Sequence, residues 1–465
     1  METPRTILYN LVRPALRLAL QIYFRRVETT DPHHLPGRGP VLLAANHPQS
    51  ITDALVLSGS IPRVVHYLAH SGLFKNRVQA AVLRGFGVIP VVRREDDPQR
   101  AAEANEDAFA ACFASLQRGE VVAIFPEGIS VEERRLQPLR TGAARIALEA
   151  EHQNDFQLGV AVVPVGISFQ SRGRFRSRVL LRFGKPIQAE RYAEKYKNQP
   201  REAVARLTDH LGRAMRALVV NVEDAEQDRM VTQIERIYRE DLLNNPDLEL
   251  PGPSDFARQT AASQEIAQAV AWFRRHDPHA VGRLEERIEG YQETRRRWQL
   301  TDEMVARGEA PSLRRRALSM LAIGALGLPL AVAGAVANAV PYTLTAFAVD
   351  RLNPDPTKRH SHQFILGTAL AILYYPALFW MMKRHWDLPS GRLFLIALGI
   401  IPAGLFARFF VRRWRRERRF LRFAWVGATQ RAALGNLRHL RAEVLSDLDG
   451  LLQRYLTERG LPRRR

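Results

Sequence analysis

Two residues whose side chains can share work on a proton stand close together in the segment Asn46-His47-Pro48-Gln49-Ser50-Ile51-Thr52-Asp53. An imidazole can take a proton from an alcohol, and a carboxylate within reach fixes the ring's tautomer and stabilises the imidazolium. Five residues separate His47 from Asp53. Pro48 and Gln49 must therefore turn before a helix begins near Ser50, because in one continuous helix the two would point to different sides. Taken alone the pair decides nothing. A histidine at a strand end beside an unrelated helix-capping aspartate is the commoner arrangement. The Ser50 hydroxyl stands where a helix N-cap is expected, and nothing marks it as an activated nucleophile.

Other reactive side chains recur at the ends of apolar runs. Phe125-Pro126-Glu127-Gly128 follows the run from Val121. Gly87-Val88-Ile89-Pro90-Val91-Val92 ends in the two cations Arg93 and Arg94, and Val163-Pro164-Val165-Gly166 closes a third run. Ligands collect at strand ends in open α/β sheets. The guanidinium of Arg93 is a fork that suits phosphate oxygens, although an isolated arginine at a strand end is more often a surface ion pair.

This ordered set, from about Pro40 to Pro186, resembles all four blocks of the phospholipid and glycerol acyltransferase family, in the right order. The resemblance implies that His47 is a general base and Asp53 its orienting partner. It implies further that Arg93, Glu127 and Gly128 hold a glycerol phosphate, and that Pro164 lines the acyl or acceptor site. Arg140, on the helix expected after the Glu127 block, is either a further phosphate contact or part of a solvated face. Glu127 would repel phosphate directly, so its expected role is to accept a hydrogen bond from an acceptor hydroxyl or to hold an arginine. One residue more than the family's usual spacing between His47 and Asp53, with Pro48 after the histidine, resembles the branch that includes glycerol-3-phosphate acyltransferases. The implied reaction is acyl transfer from acyl-CoA or acyl carrier protein to glycerol 3-phosphate, with no cofactor. Lysophosphatidate or another lysolipid is the rival acceptor, and a non-catalytic lipid-binding or scaffold protein is the reading of a different class.

The elements that must position these residues are legible as alternating patterns. Strand-like runs at Val41–Ala45, Val64–Ala69, Val88–Val92, Val121–Phe125, Val160–Ser168 and Val179–Phe183 alternate with helical stretches. This predicts an α/β layer domain over residues 31–200 with a largely parallel sheet. Continuous Val/Ile runs suit strands buried on both faces. Before it, residues 1–30 read as an amphipathic helix that either lies on a membrane surface or packs on the following domain. The segment is interrupted by Arg13 and Arg17 and lacks a small-residue cleavage site, so no cleavable signal peptide is expected. Residues 201–312 read as a charged helical region.

Apolar segments follow at 317–349, 364–382 and 393–411, within a membrane region expected over 313–411. The first is long for one crossing and contains Pro329, Asn338 and Pro341. It reads as a kinked helix or a re-entrant hairpin, and the hairpin is favoured because it would keep the basic groups Arg314–Arg316 and Arg412–Arg419 on one side, as the positive-inside rule prefers. That places the catalytic domain on the cytoplasmic side of a membrane.

The net charge of +20 is concentrated rather than spread. Residues 412–465, a basic tail, hold 15 Arg against five Asp plus Glu, directly after an apolar segment. That placement favours anionic lipid headgroups. No nucleic-acid-binding signature accompanies it, so nucleic acid is not an expected partner. The single cysteine, Cys112, excludes an intramolecular disulfide and reads as a small buried hydrophobe. His66 and His70 have the i,i+4 spacing that suits a metal on a helix, but they fall in a strand-like run, so no metal site is expected.

Overall fold

The computed structural model describes residues 4–92, 98–131, 133–172, 174–246, 248–307, 311–352, 356–385 and 389–459. Its elements in chain order begin with α1 (Pro4–Tyr23), β1 (Arg26–Thr30), β2 (Val41–Ala45), α2 (Ile51–Ser60), β3 (Val65–His70) and α3 (Arg77–Gly85). There follow β4 (Ile89–Val91), α4 (Pro98–Gln117), β5 (Val121–Ile124), α5 (Gly142–His152), β6 (Ala161–Phe169), β7 (Arg178–Phe183) and β8 (Ile187–Gln188). The rest is helical: α6 (Ala193–Asn198), α7 (Pro200–Arg216), α8 (Ala225–Leu243), α9 (Asp255–His276), α10 (Pro278–Arg297), α11 (Asp302–Ala306), α12 (Leu313–Leu352), α13 (Pro356–His385), α14 (Ser390–Thr429) and α15 (Arg431–Glu458). Residues 1–225, 250–264 and 355–361 form one compact unit; 226–249, 265–354 and 362–465 form another.

The first unit is built on one sheet of order β1-β7-β6-β2-β5-β3-β4, with β8 also on β6. Its central pairings, β6 with β2, β2 with β5 and β5 with β3, are parallel, and β6 pairs antiparallel with β7 and β8. The central strands are the continuous apolar ones, and Val41 to Ala45 are all buried, as two covered faces require. The α/β expectation with a largely parallel sheet therefore holds. β1 escapes sequence reading because Arg26-Val27-Glu28-Thr29-Thr30 carries one apolar residue; it is an edge strand, where charge is tolerated.

The catalytic-sized unit also runs past the boundary expected at residue 200. Ala203, Leu207, Leu211 and Met215 recur every fourth residue along α7 and join the buried cluster of Leu42, Val122 and Val162. A stripe at that spacing must be covered, and the sheet layer covers it. Cys112 is in the same cluster, and burial pushes its thiol up to about 12, which suits an inert hydrophobe.

In the second unit, α12, α13 and α14 are each long and apolar enough to cross a membrane. The hairpin expected at 317–349 is not there. Leu313–Leu352 is one unbroken helix of 40 residues with Pro329 and Pro341 inside it. Pro341 cannot donate to the carbonyl four residues back, that of Ala337, and the Tyr374 hydroxyl donates to it instead at 2.9 Å. The two basic groups still share one end, by another route. Gly327 lies against Phe410, Gly334 against the Ala403 carbonyl, and Asn338 donates to the Ile400 carbonyl at 3.0 Å, so α12 and α14 run antiparallel. Arg316 then meets Glu417 at 3.0 Å. The basic run 412–419 is not a separate tail, because α14 continues unbroken through it to Thr429.

Candidate active site

β2 and β5 are neighbours in a parallel pairing that sets Val41 opposite Val121 and Ala44 opposite Ile124. The loops that leave them keep the same offset. His47 donates its main-chain N–H to Glu127 Oε1 at 3.0 Å, and Ser50 donates its own to Ser130 Oγ at 3.0 Å. Two motifs 80 residues apart in sequence thus become one site because their strands are adjacent and in register. On the other side of β2, Asn46 donates to the Ile167 carbonyl at 3.1 Å and accepts from its N–H at 2.6 Å, tying the loop to β6.

The turn between His47 and Asp53 forms as its spacing requires. His47 Nδ1 lies 3.0 Å from Asp53 Oδ2, which also accepts the Gln49 N–H at 2.7 Å. The carboxylate settles the tautomer: Nδ1 carries the proton, and Nε2 is left as the basic atom. Asp53 is fully buried and the His47 side chain is 18% exposed, so one partner is sequestered while the other is reachable. Burial raises the Asp53 carboxyl above its ordinary value, against the pull of His47 and the Gln49 N–H. The Phe125 ring stacks on the imidazole, with centroids 3.9 Å apart and planes 18° from parallel.

Glu127 has another occupation than the one expected. It is buried, and its oxygens accept main-chain N–H groups, Oε1 from His47 and Oε2 from Gln137 at 2.7 Å. Burial holds its carboxyl above the ordinary range despite those donors. Gly128 adopts φ +70°, and a Cβ there would come within 2.5 Å of Arg140 Nε. The backbone demands glycine, and a side chain there would push the Arg140 guanidinium aside.

Arg140 is not on a helix face. α5 begins at Gly142, and Arg140 precedes it, its N–H bonded to the Pro126 carbonyl at 2.8 Å and its exposed side chain against Gly128. Arg145, on α5, sits 5.2 Å over the Phe109 ring.

Pro164 is buried in β6 opposite Ala44, one residue before the position level with Ala45, and its carbonyl accepts from Gly184 N–H at 2.8 Å. The structure thus brings His47, Asp53, Glu127, Gly128 and Arg140 together and sets Pro164 in the adjoining strand. Arg93 and Arg94 lie outside the described residues. Ser50 occupies the N-cap position of α2, with φ 53°, but its side chain makes no capping bond.

Helix α1 secures the far end of α2. Arg17 Nε donates to the Gly59 carbonyl at 2.9 Å, and Arg13 donates to the carbonyls of Ile61 and Pro62. The arginines that interrupted the apolar N-terminal stretch are cations placed on a helix C-terminus, where the last carbonyls lack partners. Tyr9 adds a bond to the Ser58 carbonyl at 3.2 Å. The helix thus packs on the domain, and Leu11 and Leu18 on it stay exposed.

The acyltransferase family model matches residues 26–168. That domain belongs to the acyltransferase family.

The domain has relatives of two named activities. It is similar to glycerol-3-phosphate O-acyltransferase 2 of Saccharomyces cerevisiae, 35% identical over 136 residues, which is 29% of this chain and 18% of that protein. It is also similar to the 1-acyl-sn-glycerol-3-phosphate acyltransferase of Bacillus subtilis, 26% identical over 216 residues, 45% of this chain and 96% of that protein. The crystal structure of the 1-acyl-sn-glycerophosphate (LPA) acyltransferase PlsC from Thermotoga maritima aligns with 20% identity and a TM-score of 0.31, covering 45% of this chain and 81% of that one.

Within the acyltransferase domain, sequence reading missed three contributors. Phe125 opens the Glu127 block and Ser130 follows it by two residues, so their position beside that block was the available signal. Arg172, whose charge acts on Asp53, had none.

Among the described residues no group of three His, Cys, Asp or Glu could hold a metal. His66 instead faces Glu120 at 3.2 Å.

Proposed function

We propose that this chain is a membrane-bound O-acyltransferase that moves a fatty acyl group from acyl-CoA, or acyl carrier protein, to a hydroxyl of glycerol 3-phosphate. The observation that carries the reading is the 3.0 Å contact between His47 Nδ1 and the buried Asp53, which leaves Nε2 as a base at a reachable position. The acceptor hydroxyl gives its proton to Nε2 as its oxygen attacks the thioester carbonyl. The tetrahedral intermediate collapses to the ester, and the thiolate leaves with the proton returned by the imidazolium. No acyl-enzyme is needed. Asp53 stabilises the imidazolium between the two transfers. The exposed guanidinium of Arg140 beside Gly128, together with Arg93, supplies phosphate recognition. The apolar helices α12, α13 and α14 anchor the protein in the membrane, with the catalytic domain on the cytoplasmic side and the arginines around 412–419 against anionic lipid.

One observation favours a second acceptor. The similarity to the Bacillus subtilis 1-acyl-sn-glycerol-3-phosphate acyltransferase runs over 96% of that protein. Membranes containing the full chain, given labelled acyl-CoA or acyl carrier protein thioester and both acceptors together, separate the readings. Glycerol 3-phosphate acylation that vanishes in His47→Ala is expected. Exclusive lysolipid acylation would replace the proposed acceptor, and turnover unchanged in His47→Ala would end the catalytic assignment in favour of a non-catalytic lipid-binding role.

A further inference from the structure

The N-terminus of α2, the helix that carries Asp53, has an incomplete local cap. Ser50 holds the N-cap position with φ 53° and ψ −130°, and its hydroxyl makes no capping bond. That backbone region is costly for a residue with a Cβ and persists only where the surroundings impose it. Something else must satisfy the first turn's donors and hold the turn that joins His47 to Asp53.

The missing group comes from more than 300 residues away. Ser361 is 1% exposed, and its hydroxyl donates to the Gln49 carbonyl at 2.7 Å. The same oxygen accepts from the Thr52 side chain at 3.0 Å and lies 3.3 Å from the Thr52 main-chain nitrogen. Thr52 is the second residue of α2, and an N-cap oxygen accepts from the second or third main-chain N–H of its helix. Ser361 therefore occupies the chemical position of an N-cap without being Ser50's neighbour in sequence. Thr52 and Gln49, 1% and 3% exposed, have little access to a substitute water. Residues 355–361 belong to the same compact unit as the sheet, and Ser361 is also the first residue of a candidate membrane span.

We infer that Ser361 is a positioning residue for the acyl-transfer reaction: it caps α2 in trans and holds the Gln49–Thr52 turn that sets His47 against Asp53. The inference rests on the acyltransferase reading of the site. The Gln49 N–H donates to Asp53 Oδ2 while the Gln49 carbonyl is held by Ser361, so one peptide turn links the distant hydroxyl to the catalytic carboxylate. A residue from the membrane-proximal part of the chain thus completes a site that the family's blocks leave short of one hydroxyl.

The test uses the full chain in lipid nanodiscs, with steady-state kinetics and hydrogen exchange at the amides of residues 49–53. Ser361→Ala is expected to lower kcat about tenfold, with both KM values within about twofold, and to speed exchange at the Thr52 and Asp53 amides by about tenfold. Ser361→Thr, which keeps the hydroxyl, should recover kcat to within about threefold of the parent. Thr52→Val is nearly isosteric and removes one arm of the contact, so it should give an intermediate loss and decide the matter if Ser361→Ala fails to fold. Unchanged exchange and unchanged kcat in whichever of these two variants folds would overturn the inference. So would a loss shared equally by kcat, KM and the thermal midpoint, which is a merely structural effect. If the parent protein transfers no acyl group, the functional reading falls alone, and the exchange rates still decide whether Ser361 caps α2.

Discussion

The main-chain N–H of His47 donates to the carboxylate of Glu127 at 3.0 Å, and their separation of 80 residues is the register offset of β2 and β5 carried past the strand ends. Glu127 is therefore a brace for the His47 loop. With Gln137 on its other oxygen, it binds two part-buried loop amides.

Glu127→Gln should therefore damage the loop. An amide offers one acceptor oxygen, and its NH₂ would face one of the two main-chain donors. Leaving a buried donor unpaired costs about 1–3 kcal/mol. The expected result is a thermal midpoint several degrees lower and kcat reduced at least about tenfold. Measured kcat and melting temperature equal to the parent's would show that the brace is dispensable.

Asp53→Asn should separate stability from activity. Burial raises the Asp53 carboxyl, and its Oδ1 has no hydrogen-bond partner among the described residues. A raised native value means that the folded state keeps its proton after the unfolded state has lost it. Stability therefore falls as pH rises from the ordinary carboxylate value to the raised one. The asparagine variant escapes that loss, so at pH 7 it should melt at or above the parent, with the difference closing below about pH 4. Its kcat should drop by about 10²–10⁴. A variant markedly less stable than the parent at pH 7 would contradict this account.

Gly128→Ala tests the glycine turn. It combines an unfavourable positive φ with a methyl that would come within 2.5 Å of Arg140 Nε. The backbone term alone costs about 1–2 kcal/mol. Displacement of Arg140 should also raise KM for the phosphate-bearing acceptor more than KM for the thioester, as initial-rate measurements with each substrate varied would reveal. Equal KM changes would argue that Arg140 does not address the phosphate.

The double variant Arg13→Ala, Arg17→Ala tests the support at the other end of α2. Three carbonyls at its C-terminal end lose charged donors. A cost of about 1–3 kcal/mol is expected, read as a lower melting temperature, with kcat reduced by about threefold or more because α2 carries Asp53. Retained stability and activity in the pair would show that α1 does not position α2.

What the sequence by itself determined was the set of reactive groups and the kind of frame that holds them. Runs such as Val121–Ile124 are continuous because both faces of a central parallel strand are covered, and that is a local property of the chain. The turn joining His47 to Asp53 was likewise legible, since both residues and the intervening Pro48 lie within one short segment. Tertiary structure decided what depends on non-local neighbours. Only the pairing of β2 with β5 puts Glu127 beneath the His47 loop, and only the return of the chain at residue 361 brings a cap to α2. Arg140 leaves the expected helix because α5 starts two residues later, at Gly142. The hairpin expected at 317–349 is instead one helix, in which the Ala337 carbonyl that Pro341 leaves without its helical donor accepts from the Tyr374 hydroxyl on another helix. Arg13 and Arg17 interrupted a hydrophobic pattern in one dimension, and in three they meet the open carbonyls of a helix end, because a charge is placed by the partner the fold brings to it.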